Sequence, residues 1–182
     1  MYLTTTAITI LACSLYCLDM SRKVALVAID IRSSHNVGAF FRTADGFGCE
    51  IVLVGITPRP LGDKLDNRLP HIVKKAHHAI AKTALGAETK VKWSYFKTHE
   101  EAFKHLRQNH YQLYAVEQDE KATDIRTMPK NNNIGLVVGP EVTGLTSSIL
   151  SECDGVLEIP MQGSKESFNV SVAAGIALYL AQ

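Results

Sequence analysis

The sequence predicts an α/β domain with a mostly parallel sheet flanked by helices. From Met20 onward, apolar runs rich in Val and Ile alternate with stretches whose apolar residues recur at helical spacing. The 182 residues suffice for one full hydrophobic core and are too few for two comfortable ones. No internal repeat or low-complexity linker divides them.

Taken in order, residues 24–30 (VALVAID) read as a buried strand. Val37, Phe40, Phe41 and Ala44 then mark a helix, with Asn36 as its expected N-cap and Gly46 and Gly48 as its stop. Residues 50–54, 91–95, 111–116, 134–138 and 156–159 read as further strands. Residues 100–109 and 169–181 read as helices.

Residues 7–18 form an apolar run, too short to cross a bilayer, which takes roughly 20 apolar residues. No Lys or Arg precedes it, as a signal peptide requires, and the first basic residues, Arg22 and Lys23, follow it. The expectation is an extension over residues 1–19, from a start assigned too early, and a functional cytoplasmic domain over residues 20–182. A cleaved signal is the rival reading. Cys13, Cys17, Cys49 and Cys153 form no CxxC pair and have no His at ligand spacing, so neither a metal site nor a redox motif is expected.

The formal net charge is only +1, so a nucleic-acid partner needs a local patch. One lies between Arg59 and Lys97, where Arg59, Lys64, Arg68, Lys74, Lys75, Lys82, Lys90, Lys92 and Lys97 face only Asp63, Asp66 and Glu88. It reads either as a solvated helix face with its flanking loops or as a phosphate-binding surface.

Ligands of α/β sheets bind beyond the carboxyl ends of strands, which directs attention to the loops after Asp30, Val138 and Ile159. Gly46-Phe47-Gly48 leads into a strand and is no dinucleotide fingerprint. Residues 139–144 have P-loop glycine spacing, but Leu145 and Thr146 follow where Lys and Ser or Thr are needed. The first loop carries Asn36, Gly38 and Arg42, with Gly38 expected to leave a bare helical turn open to substrate. The second runs Gly139-Pro140-Glu141-Val142-Thr143-Gly144-Leu145, its glycines expected to let backbone approach a ligand. The third runs from Ile159-Pro160-Met161 to Ser167-Phe168-Asn169-Val170-Ser171, where a hydroxyl and an amide meet a helix entry. Singly, the first reads as well as a capped helix, whose Arg42 could merely pair with Asp45, and the second as a tight turn, whereas a plain cap at Ser167 or Asn169 explains only part of the third.

In this order the three loops resemble the motifs of the SpoU (TrmH-like) branch of the SPOUT methyltransferase superfamily: N-x-G-x-x-x-R, G-P-E-x-x-G-L, and I-P-M followed by S-L-N-V-S-x-A. The likeness spans about residue 24 to the C-terminus; Phe168 departs from the commoner leucine. The resemblance implies a C-terminal trefoil knot from about Ile134 onward, and S-adenosylmethionine as methyl donor in a pocket formed by Gly139, Ile159, Met161, Ser167 and Phe168. It also implies a homodimer with sites completed across the interface, and transfer to a ribose 2'-hydroxyl of tRNA or rRNA without metal. Arg42 takes the catalytic position, with Asn36, Glu141, Ser167 and Asn169 around it. Arg59, Lys64, Arg68, Lys74, Lys75 and Lys82 are the expected RNA contacts. A catalytically inactive RNA-binding protein of the same knot fold is the alternative.

Overall fold

The computed structural model describes residues 22–63, 66–130 and 132–182. The extension expected over residues 1–19 lies outside these residues, as does Lys64. Seven strands form one sheet, β1 (Val24–Ile29), β2 (Glu50–Val54), β3 (Trp93–Phe96), β4 (Tyr111–Val116), β5 (Thr123–Asp124), β6 (Asn133–Val138) and β7 (Gly155–Glu158). Their order across the sheet is β3-β2-β1-β6-β4-β7-β5, and every pairing is parallel. The helices are α1 (Ser34–Phe47), α2 (Pro70–Ala84), α3 (His99–Gln108), α4 (Ser147–Glu152) and α5 (Val170–Leu180).

Strand periodicity divides the core in two. Leu26, Ala28, Ile51, Leu53, Leu136 and Val138 face one side and pack with Phe40, Phe41, Ile80, Ala177 and Leu178 from α1, α2 and α5. Their alternates Ala25, Val27, Val52, Val54 and Val137 pack on the other side with Phe103 and Leu106 of α3 and Ile149 of α4. Apolar residues at both parities are what a doubly covered parallel sheet demands, which is why these strands read as continuous apolar runs. Strand β1, fully buried, lies inside the sheet between β2 and β6.

Several boundaries differ from the sequence reading. Helix α1 starts at Ser34 with Ser33 as N-cap, its hydroxyl accepting from Asn36 N at 3.3 Å; Asn36 lies inside the first turn and caps nothing. Gly46 is helical, and Gly48 alone ends α1 at φ 65, a left-handed value that suits glycine. Asp30, read as strand, has φ 51 and turns the chain out of the sheet. The third strand begins at Trp93 because a 3-10 turn, Ala87–Thr89, holds the preceding residues: Val91 N donates to Ala87 O at 2.9 Å. The last long strand lies one residue earlier than expected, at Gly155–Glu158. Helix α2, within the basic run, carries proline at its N-terminus, where a missing N–H costs nothing.

Candidate active site

The ends of β1, β6, β4 and β7 all point to one edge of the sheet, and the three loops singled out by sequence meet there. The first is anchored by the buried Thr57, whose hydroxyl accepts from Ile31 N at 3.0 Å. Ser33 then fixes the helical start, and Asn36 is left with its side chain free for distant partners. Its Nδ2 donates to Glu141 Oε1 at 2.6 Å, and its Oδ1 accepts from Asn169 Nδ2 at 3.4 Å. Asn169 Oδ1 in turn accepts from Ser171 N at 2.9 Å and from Ser171 Oγ at 2.6 Å, capping α5. One hydrogen-bonded line thus joins a residue from each loop. Glu141 is exposed, and its Oε2 takes no hydrogen bond among the described residues.

Beside this line lies an open cavity of about 480 Å³. Gly139, Ile159, Met161, Ser167 and Phe168 all line it, together with Glu141. Val138, Leu145 and Val170 add apolar wall, and every residue of the turn at 139–145 belongs to the lining. Both glycines of the second loop serve the loop itself rather than leaving room for a ligand. A Cβ on Gly139 would stand 2.9 Å from Leu145 N, and one on Gly144, whose φ is +63, would stand 2.6 Å from Glu117 Oε2. Gly144 N closes the turn on Pro140 O at 3.0 Å. Glu117, Gln118, Asp119 and Glu166 also line the cavity and were not singled out by sequence. The first three follow β4, another strand ending at the same edge, so the rule that selected the other loops could have selected this one.

Two expected members stand apart. Ser167 lines the cavity and Arg42 is exposed on α1; among the described residues Ser167 makes no hydrogen bond, and Arg42 makes neither an ion pair nor a hydrogen bond. Arg42 therefore does not pair with Asp45. Gly38 is buried, not bare: a Cβ there would stand 2.0 Å from Thr83 Oγ1 and 2.3 Å from Ile80 O. Its absent side chain lets α2 cross α1 at backbone contact, where Thr83 Oγ1 donates to His35 O at 2.9 Å.

The basic run splits. Arg59, one of the expected RNA contacts, is only 6% exposed: it pairs with Asp63 at 3.2 Å and Asp66 at 3.0 Å, and lies 3.6 Å from the Tyr95 ring centroid. Arg68 forks onto the same Asp66, its Nε at 2.8 Å and Nη2 at 2.6 Å. Bonds from Arg68 and then Arg59 hold the Asp66 carboxyl well below the usual carboxylate range. Lys74, Lys75 and Lys82 are exposed on α2, which has no Asp or Glu along its length. Among the described residues, no group of three His, Cys, Asp or Glu is placed to hold a metal, and no helix is long and apolar enough to cross a membrane.

A doubly covered parallel sheet, with three loops hydrogen-bonded to one another around a cavity at the strand ends, defines an α/β domain with a ligand crevice of its own. The chain belongs to the SpoU rRNA Methylase family, whose model matches residues 23–179. It is 34% identical over 164 residues to the 23S rRNA (guanosine-2'-O-)-methyltransferase RlmB of Acinetobacter baylyi, covering 89% of this chain and 60% of that protein. It is 31% identical over 156 residues to the tRNA (guanosine(18)-2'-O)-methyltransferase of Thermus thermophilus, covering 84% of this chain and 71% of that one. The crystal structure of an AdoMet-bound rRNA methyltransferase from Sinorhizobium meliloti shares the fold, with a TM-score of 0.72 at 23% identity over 87% of this chain and 55% of its own. The chain thus spans less than two thirds of two of these three proteins.

Proposed function

We propose that residues 20–182 form an S-adenosylmethionine-dependent methyltransferase that modifies a ribose 2'-hydroxyl of tRNA or rRNA in the cytoplasm. The observation that carries this reading is the Glu141–Asn36–Asn169 line beside the cavity. The cavity fits such a donor: Ile159, Met161 and Phe168 supply apolar wall, and the turn at 139–145 supplies backbone for the donor's polar groups. When bound, the donor would supply a methyl carbon on a sulfonium, whose C–S bond would break as the C–O bond forms, the sulfur leaving as a neutral thioether.

The protein's part is then alignment and removal of the 2'-hydroxyl proton. Glu141 has an oxygen without a hydrogen bond among the described residues to receive it, while Asn36, itself held by Asn169, keeps that carboxylate in place. Arg42 carries a guanidinium, a poor base, and serves by docking the adjacent phosphate. Ser167 offers a hydroxyl without a partner to the substrate.

Arg42 acts across a homodimer interface, in the partner's site. Its absence from the cavity lining of its own chain supports this, as does an apolar surface fit for a second copy, where Val172 is 48% and Tyr179 67% exposed beside Phe47. The RNA backbone lies along Lys74, Lys75 and Lys82. The chain from about Ile134 onward forms a trefoil knot. This reading is supported by α5 packing on the α1 side of the sheet and by Gln118, in the loop after β4, donating to the Glu166 carbonyl in the loop after β7.

Mapping 2'-O-methyl groups on total RNA incubated with the purified protein and labelled donor tests the activity. Label at a discrete 2'-oxygen is expected; binding of RNA without transfer at any donor concentration would refute it.

A further inference from the structure

Strand β4 lies between β6 and β7 in the sheet, and these two strands feed the two loops that line the cavity. Residues just beyond β4 therefore stand between the loops, and their side chains reach both. Glu117 is fixed to β7 by its own N–H, which donates to Leu157 O at 3.1 Å. Its carboxylate turns the other way: Oε2 accepts from Leu145 N at 3.0 Å, and Oε1 accepts from Gln118 N at 3.0 Å. The carboxylate fills the space that a side chain at Gly144 would need. Gln118 reaches the third loop, its Nε2 donating to the Glu166 carbonyl.

We infer that Glu117 and Gln118 are positioning residues that clamp the second and third loops at the spacing the methyl donor requires. Neither residue belongs to the motifs that carry the family resemblance. The charge of Glu117 matters because two backbone N–H groups converge on it. A carboxylate presents an acceptor to each, whereas an amide presents one acceptor and turns an NH2 toward the other donor. Gln118 needs only its amide N–H, because the third loop presents a carbonyl. The pair acts on the donor through loop geometry and takes no proton.

The inference rests on the donor-binding reading above, and the test separates the two. Calorimetric titration of S-adenosylmethionine into the full chain should give a donor Kd about tenfold weaker for Glu117→Gln, the worth of roughly one charged hydrogen bond. Gln118→Ala, an exposed side chain whose loss leaves the core intact, should weaken it about threefold, on the scale of a neutral hydrogen bond. Both variants should raise the KM for donor while leaving the rate at saturating donor and the affinity for RNA near wild type, a split that general loosening of the fold does not produce. Should Glu117→Gln fail to fold, Gln118→Ala alone decides. Wild-type donor affinity in the folded variants, or an equal loss for RNA and donor, overturns the clamp. Absence of donor binding by the wild-type chain removes both readings together.

Discussion

Two stretches of one basic segment use similar charge in opposite ways. Around the turn at residues 61–62, Arg59 and Arg68 are spent on Asp63 and Asp66, and Arg59 is buried against Tyr95. On α2, Lys74, Lys75 and Lys82 reach solvent with no carboxylate on the helix to neutralise them. The turn uses cations as internal fasteners, whereas the helix leaves them available. A cation's availability depends on the carboxylates within reach, which a count of basic residues does not report.

The comparison breaks most visibly at Arg59. Arg59→Ala leaves Asp66 nearly buried with half its partners, and loss of one member of a buried pair costs about 3 kcal/mol. A fall in Tm of roughly 6–12 °C is expected; a Tm within 2 °C of wild type would return Arg59 to the surface set. Arg42→Ala should behave in the reverse manner, with unchanged Tm and donor affinity and a single-turnover rate lower by at least about a hundredfold. Full transfer rate at saturating RNA and donor would remove Arg42 from the reaction.

Acid sharpens the contrast. The Asp66 carboxyl is held low in the fold, so its contribution is whole above about pH 4, the unfolded value, and is lost as the pH falls below it. Wild-type stability should decline there by up to about 1.4 kcal/mol per pH unit from this group. Asp66→Asn should flatten that limb in acid denaturation curves, and an identical limb would exclude Asp66 as its source. The smallest effects belong to α2: Lys74→Ala, Lys75→Ala and Lys82→Ala should each lower the salt slope of RNA binding by about one and leave Tm alone. Salt slopes equal to wild type in all three would move the RNA elsewhere.

Much of this was visible in the sequence, because strand burial and loop chemistry are local signals. The strands at 50–54 and 111–116 match residue for residue, since their apolar runs end at charged or turn residues. Asn36 misled as a cap because Ser33, Ser34 and Asn36 all suit that position; the amide is claimed by a carboxylate 105 residues away. Gly38 misled because a glycine needed for helix crossing resembles one that leaves a surface bare. The pairing of Arg59 had a local trace in Asp63, four residues on, but its burial under Tyr95 did not. Glu117 carried no motif, and only the sheet order reveals that it stands between two loops.

The hydrogen bonds from Asn36 to Glu141 and Asn169 close loops of 105 and 133 residues. Contacts of that span are slow to form, because the chain must lose its freedom before they are made. Nascent or half-folded chains can already hold α1 and the neighbouring strands, yet they lack the line that joins the three segments until α5 has docked. Appearance of the assembled line should therefore mark a late stage of folding, a timestamp written in three side chains.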